Sequence, residues 1–235
     1  MNALQIMQRV AQESGTLSGA VPTTMLAQTG RLKNVVDWTV EAWDQIQSEH
    51  ATWKWLRDEF ESSLLLNTVR YTPASLDITR HREWITDRTH DNGAFTIYDP
   101  DTGVSDETVL AWMEWEAFRA TYLRGSQTAA RPIVCTISPA GEFCVNKPDQ
   151  TYTVQGEYWK SNQTLAANGD EPECPADYHM AIVWRALRLL KVFDEDAVQT
   201  KQDIDRLHDE AMFALRTNQL PRPGIGVRAP ALDQT

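Results

Sequence analysis

The hydrophobic pattern of this 235-residue chain changes its period twice, and that change constrains the fold more than any other feature. Residues 31–49 carry apolar side chains at helical spacing, and so does the stretch that starts at Pro175 or Asp177. Between them, much of residues 132–159 alternates with the period of two that is typical of strands. The sequence therefore predicts helices, then a β-rich middle, then helices again.

The N-terminal part, residues 1–61, is predicted to supply helices. Residues 3–13 favour a short helix. A loop follows and ends at Gly30, and residues 31–49 then favour a longer helix. Trp38 lies off the apolar stripe of this second helix. We therefore expect Trp38 to point away from the local core.

The middle part, residues 62–170, is predicted to be a β-rich insertion that contains one helix. Residues 62–71 are rich in strand-forming side chains. The helix is predicted over about 105–124, because Ser105 is a good N-cap and Gly125 is a good terminator.

For one hairpin, the sequence predicts which residues of the two strands pair with each other. Residues 138–141, Ser-Pro-Ala-Gly, suit a type I turn followed by a left-handed glycine. That loop pairs Cys135 with Val145, which separates Cys135 from Cys144, so we expect no disulfide between the two. The same register places five apolar side chains on one face: Ile133, Cys135, Ile137, Phe143 and Val145.

The C-terminal part, residues 171–217, is predicted to hold two helices, the second over about 196–216. Residues 218–235 contain Pro221, Pro223 and Pro230 and cannot form a regular helix. A segment without a core of its own is either a plain floppy terminus or an arm that orders when it docks on a neighbour. The docking arm is the functional interpretation.

The predicted fold class is α+β, mainly a helical bundle in which the N- and C-terminal helices pack together. The β-rich insertion projects from this bundle, and the extended C-terminal tail follows it. No stretch of the sequence repeats another.

Charge and composition exclude several classes of function. The net charge of -11 opposes sequence-independent binding of nucleic acid, because an acidic surface repels phosphate. No apolar run is long enough to span a bilayer, and the N-terminus does not have the pattern of a signal peptide, so we expect a cytoplasmic protein. Three cysteines without a CxxC spacing predict buried thiols rather than a disulfide framework or a zinc site.

Catalytic patterns are weak throughout. The segment Trp112-Met113-Glu114-Trp115-Glu116 combines aromatic rings with carboxylates, as a glycosidase cleft does, but its two acids lie two apart on a predicted helix and diverge. His81, His90 and Asp91 could be metal ligands, although nothing completes the set. We therefore predict no enzyme activity and no catalytic, metal or cofactor residues.

Nine tryptophans are unusual for this length. Several can lie in the core, and any that face solvent would need a partner to cover them, because tryptophan is a common interface anchor.

Three stretches together resemble a known family. They are residues 53–60 (WKWLRDEF), 153–160 (TVQGEYWK) and 170–187 (DEPECPADYHMAIVWRAL). In this order they are similar to the head–tail connector proteins of tailed bacteriophages, also called portal adaptor or head-completion proteins. The resemblance covers roughly residues 31–215.

The resemblance implies a structural protein of the virion neck, assembled in the host cytoplasm. It implies a ring, usually twelvefold, that joins the portal to the next neck or tail protein while DNA passes through the lumen without specific binding. No membrane is involved. A tail terminator or stopper is the alternative within the neck, and a carbohydrate-binding or glycan-acting protein is the alternative from another class. The residues predicted to contact the portal or a neighbouring subunit are Leu220, Pro221, Arg222, Pro223, Ile225, Val227, Arg228 and Trp38.

Overall fold

The computed structural model describes residues 1–14, 21–86, 94–190 and 198–221. The chain divides into two compact units. We call Met1–Trp55 with Gln163–Thr235 the helical unit, and Leu56–Asn162 the β unit. No helix among the described residues has the length and apolar character that crossing a membrane requires.

The helical unit is built around one nearly all-apolar helix. Its helices are α1 (Ala3–Glu13), α2 (Gly30–Glu49), α4 (His179–Leu190) and α5 (Val198–Gln219); α3 (Trp115–Tyr122) belongs to the β unit. Helix α4 packs against α1, α2 and α5. Because three helices cover α4, its buried residues lie on more than one of its faces: Ala181, Ile182, Val183, Ala186 and Leu187.

The start of α1 shows how the sequence sets a helix boundary. The side chain of Asn2 accepts a hydrogen bond from the Gln5 backbone N–H (2.9 Å), and the Gln5 side chain accepts one from the Asn2 N–H (3.0 Å). This reciprocal pair satisfies two of the N–H groups that a helix leaves without partners at its N-terminus.

The β unit contains short strands and one long one. They are β1 (Arg57–Leu64), β2 (Arg70–Tyr71), β3 (His81–Trp84), β4 (Phe95–Tyr98), β5 (Thr108–Val109), β6 (Ala111–Trp112), β7 (Val134–Ile137), β8 (Phe143–Val145) and β9 (Tyr152–Lys160).

The described strands form two sheets that meet at residues 108–112. In the first, β1 runs along one side of β9, and β4 and β3 lie along the other side. Strand β5 pairs with β4, and β6 pairs in parallel with β7 of the second sheet, in which β8 and β2 follow. The Leu110 N–H donates to Phe95 O (2.9 Å) and the next N–H, of Ala111, donates to Ile133 O (2.9 Å). Because successive N–H groups of a strand point to opposite sides, this segment links the two sheets.

A large aromatic core fills the β unit. Phe60, Phe95 and Phe143 are buried together with Trp84 and Tyr158. A second, smaller cluster lies on the other face of β7 and β8, where Phe118 of α3 covers Val134 and Cys144. Strands β7 and β8 are therefore largely buried on both faces, which their short sequences do not reveal.

The structure confirms the predicted hairpin register. Cys135 pairs with Val145, and Ile137 pairs with Phe143. The Gly141 N–H donates to Ser138 O (2.9 Å), and Gly141 has a φ of 80°, in the left-handed region that glycine tolerates. Cys135 and Cys144 form no disulfide, as predicted.

The prediction of a mainly helical bundle with a β insertion is wrong. The protein is α+β, and its described residues form helices together with strands that build two sheets. The physical reason is the aromatic core of the β unit, which makes residues 56–162 a folded body in their own right.

Three local predictions in the middle of the chain are also wrong. The helix expected over 105–124 is confined to α3, because residues 108–112 instead pair with β4 and β7. The strand expected over 62–71 begins five residues earlier, at Arg57, and is interrupted between β1 and β2. Ile133 lies just before β7 and is 60% exposed, so it does not share the buried face of Cys135.

Candidate assembly surfaces

The residues predicted to bind partners fall in two places. Trp38 is half-buried on α2. Leu220 is half-buried and Pro221 is exposed, directly after α5. The other predicted contact residues lie outside the described residues: Arg222, Pro223, Ile225, Val227 and Arg228.

The last turn of α5 is anchored within the helical unit. Gln219 is buried, and the Lys54 ammonium donates to the backbone oxygen of Asn218 (2.7 Å). Arg216 also pairs with the carboxylate of Glu49 on α2. The tail was predicted to begin at residue 218, but α5 continues to Gln219 and the tail begins after it.

All nine tryptophans lie among the described residues, and none of them is fully exposed. Trp43, Trp53, Trp55 and Trp84 are buried. The ring centroids of Trp53 and Trp55 are 4.5 Å apart, and those of Trp43 and Trp55 are 6.1 Å apart. Much of the tryptophan surplus thus builds the two cores, and the remaining five are half-buried: Trp38, Trp112, Trp115, Trp159 and Trp184.

The strongly exposed apolar side chains are not tryptophans, and sequence reasoning missed them as surface features. Within the described residues, the large hydrophobic side chains at least half exposed are Leu26, Leu65, Leu66, Val104, Ile133 and Phe213. Neighbouring exposed apolar side chains, such as Leu65 and Leu66, are candidates for contact with a partner, whereas single ones are common on protein surfaces.

Leu65 and Leu66 lie on a loop between β1 and β2 that is held by a buried hydroxyl group and by backbone hydrogen bonds from Asn67 to Pro148 O (3.0 Å) and from Thr68 to Leu65 O (3.1 Å). The Leu65 N–H donates to the Tyr71 hydroxyl oxygen (2.8 Å), and this hydroxyl lies 3.1 Å from Leu65 O and 3.0 Å from Thr68 O. Burial raises the pKa of Tyr71 to about 12, so the hydroxyl remains a donor at neutral pH. The two leucines, 57% and 53% exposed, are thus presented on a fixed loop.

Phe213 is the most exposed large apolar side chain among the described residues, at 71%. The inner face of α5 buries Ile204, His208, Met212 and Leu215, whereas Phe213 lies on the outer face. The Arg206–Glu210 ion pair, 2.9 Å long, lies one to two turns earlier along the helix. A lone phenylalanine on a charged helix surface stands out from an otherwise ordinary solvated face.

A polar cluster links α4 to α5. The buried imidazole of His208 lies 3.3 Å from Arg185, 3.1 Å from Arg188 and 3.0 Å from the carboxylate of Asp209. Burial and the two guanidinium groups hold the pKa of His208 below its usual value of 6.5, although hydrogen bonding to Asp209 opposes this. The same hydrogen bond lowers the pKa of Asp209. His208 is therefore neutral in the folded protein at neutral pH.

A second buried histidine begins α4. The His179 ring is 3.1 Å from Cys174 O and 2.8 Å from the Met1 amino group. Burial again lowers its pKa. His179 is thus a hydrogen-bonded core residue.

The cysteines have the properties of buried structural thiols. Burial raises the pKa of Cys144 to about 11 and that of Cys174 to about 12. Because the thiolate is the reactive form, these two thiols are unreactive at neutral pH.

The segment with a glycosidase-like composition does not form an aromatic platform. Trp112 lies on β6, half-buried against the main core of the β unit. Trp115 stacks on Phe118 with centroids 6.5 Å apart, and the Arg70 guanidinium lies 5.4 Å from its ring. Both indole rings are engaged in packing, which leaves little aromatic surface for a sugar.

The suggested metal ligands are only partly described. His81 lies against the rings of Trp84 (4.3 Å) and Tyr158 (6.0 Å), and burial lowers its pKa. His90 and Asp91 lie outside the described residues. In the parts of the chain that the structure covers, no group of three or more potential ligands is close enough to hold a metal ion.

Comparison with known families identifies the class of protein. A sequence model of the SU10 adaptor protein family matches residues 1–224. The chain belongs to this family of phage head–tail adaptor proteins, as the resemblance predicted. It is accordingly a structural protein of the virion. No curated protein matches the chain. The family match ends at residue 224, so the last eleven residues lie beyond it.

Proposed function

We propose that this chain is the subunit of a closed ring that joins the portal of a tailed phage to the next neck or tail protein. The observation that carries the proposal is the match to an adaptor family over residues 1–224. An adaptor must contact two different neighbours and its own copies, and the apolar side chains exposed on both units are available for such contacts.

Within this proposal, the C-terminal residues 220–235 are the docking arm and Trp38 contributes to a subunit contact. The ring has no catalytic task, and its lumen lets DNA pass. The net charge of -11 supports a channel that does not retain DNA, because an acidic wall repels phosphate. Acidic side chains should therefore outnumber basic ones on the lumen surface.

Imaging the purified protein with and without portal tests the proposal. We expect closed rings of identical subunits, twelvefold, with one end seated on the portal, because heterologous contacts close into rings when the rotation fits. A protein that stays monomeric in the presence of portal would contradict it. Binding to the tail tube in place of the portal would identify a terminator or stopper instead, and a basic lumen would refute the proposed DNA channel.

A further inference from the structure

The β unit has an edge strand whose outer side is available for pairing. Strand β1 pairs with β9 along all eight of its residues, and β9 lies on only one side of it. Outside this ladder, the Glu59 N–H of β1 donates a hydrogen bond to the side-chain carboxylate of the neighbouring Asp58 (3.0 Å). Residues 73–76 pack against part of the strand, yet five of its residues remain exposed. An edge of this kind is a template for an added strand.

The charges on β1 restrict which strand can be added. It carries Asp58, Glu59 and Glu61 against Arg57. Arg57 pairs with Glu157 of β9, and Glu61 accepts hydrogen bonds from Tyr98 (3.0 Å) and Gln155 (2.6 Å). Lys160 of β9 lies 3.7 Å from the Asp58 carboxylate, so among the described residues Glu59 is the acid on this strand without an ion pair or a side-chain partner. Two copies of this acidic edge would repel each other, so pairing of β1 with β1 is disfavoured. The complementary strand is one that is neutral or basic.

The C-terminal tail has the composition that this edge requires. Residues 224–229, Gly-Ile-Gly-Val-Arg-Ala, contain no proline, so each has a backbone N–H for a ladder. Ile225, Val227 and Ala229 recur with the strand period of two. Arg222 and Arg228 make the tail basic, with Asp233 its one acidic residue.

We propose that the C-terminal segment 224–229 of one subunit adds as a strand to the β1 edge of the next copy. The inference rests on the proposed ring and names the contact that links its subunits. Because the tail and the β1 edge are different surfaces, the contact is heterologous and continues from copy to copy around a ring. The acidic charges on β1 then disfavour self-pairing and favour the arginines of the tail.

Disulfide cross-linking between full-length variants tests the pairing. One variant carries Ser63→Cys on β1; a set of partners carries a single cysteine at each position from 224 to 229. The two kinds of chain are mixed and oxidised, and cross-linked dimers are measured on non-reducing gels. We expect cross-links at alternate tail positions, because only every second side chain of an added strand lies on the same face as residue 63.

The matched control moves the cysteine from Ser63 on β1 to another exposed site of the β unit. This variant carries Glu116→Cys on α3, where the Glu116 side chain is 80% exposed. Yields no higher than this control, or yields without alternation, would overturn the proposal. A chain that carries both cysteines and closes only on itself would also overturn it. Rings that form on the portal without the cross-link would leave the proposed function intact and refute this contact alone.

Charge reversal gives an independent readout. Glu59→Lys should reduce the cross-linking yield by up to about fivefold, the range of an exposed ion pair. Arg228→Glu in the partner chain should restore it. Glu116→Lys should have no effect, and an equal loss in this control would contradict the proposed pairing.

Discussion

Gly156 is a residue whose identity is set by its neighbours in the core. It lies on β9 opposite Phe60 and Phe95, and a Cβ atom there would be 2.4 Å from Cδ1 of Phe95 and 2.9 Å from Cε1 of Phe60. Both rings are buried and closely packed. The absence of a side chain thus lets two aromatic rings cover the strand.

We predict that Gly156→Ala lowers the free energy of unfolding by about 1–3 kcal/mol, the usual cost of overpacking a core. Chemical denaturation would measure it. Gly169→Ala is the matched control, because its added Cβ would have no atom within 4 Å. A loss no larger than in the control would contradict the steric explanation.

His208 gives the fold a predictable pH dependence. Its pKa is lowered in the folded protein, whereas the unfolded chain takes up a proton near pH 6.5. Below that pH the unfolded state therefore binds more protons, and the stability present above pH 6.5 decreases as the pH falls. Each such proton contributes a slope of at most about 1.4 kcal/mol per pH unit.

His208→Gln should reduce this slope, because glutamine cannot be protonated. The measurement compares urea unfolding of the two proteins at several pH values between 5 and 8. His179, whose pKa is also lowered, should leave part of the slope in the variant. Equal slopes in both proteins would show that His208 is protonated to the same extent in the folded and unfolded states.

At the scale of elements, the hydroxyl of Tyr71 helps to hold the loop between β1 and β2. Tyr71→Phe leaves the Leu65 N–H without its acceptor, which should cost about 1–3 kcal/mol. Hydrogen exchange at residues 65–68 should also accelerate. Tyr122→Phe is the control, because the Tyr122 ring packs against the smaller core cluster, away from this loop's hydroxyl network. Unchanged exchange in the Tyr71 variant would mean that backbone bonds alone hold the loop.

The end of α5 predicts a sharp difference between two truncations. Removing residues 222–235 should leave the thermal midpoint nearly unchanged, since residues up to Pro221 retain the contacts of Gln219 and Asn218. Removing residues 218–235, by contrast, deletes buried Gln219 and the acceptor of Lys54 and should lower the midpoint by several degrees. Equal midpoints would show that the last turn of α5 adds nothing to the helical unit.

At the scale of the whole molecule, exposed apolar side chains can be replaced with little effect on the free energy of unfolding. Leu65→Ser with Leu66→Ser should change the free energy of unfolding by no more than about 0.5 kcal/mol per site, because both side chains are more than half exposed. Assembly with portal and neck partners should weaken if this loop is an interface. Sedimentation of the assembled protein measures the effect, and Thr217→Ala, an exposed polar site on α5, is the control. Assembly equal to that of the control would remove this loop from the interface.

The sequence by itself determined the features that depend on neighbouring residues in the chain. The stripe from Val35 to Ile46 gave α2, and the turn chemistry of residues 138–141 gave the hairpin register that separates Cys135 from Cys144. The order of the three stretches 53–60, 153–160 and 170–187 predicted the adaptor family. Each of these signals is contained in a short stretch, so it survives without knowledge of the fold.

Only the tertiary structure decided the features that depend on distant partners. Residues 108–112 lie within the helix that the N-cap Ser105 predicts, yet β4 and β7 pair with them from either side. Phe213 and Leu65 are large apolar residues whose exposure is decided by the packing of the elements around them. Strand pairing and burial are set by residues far away in the chain, and helix propensity is too weak to oppose them.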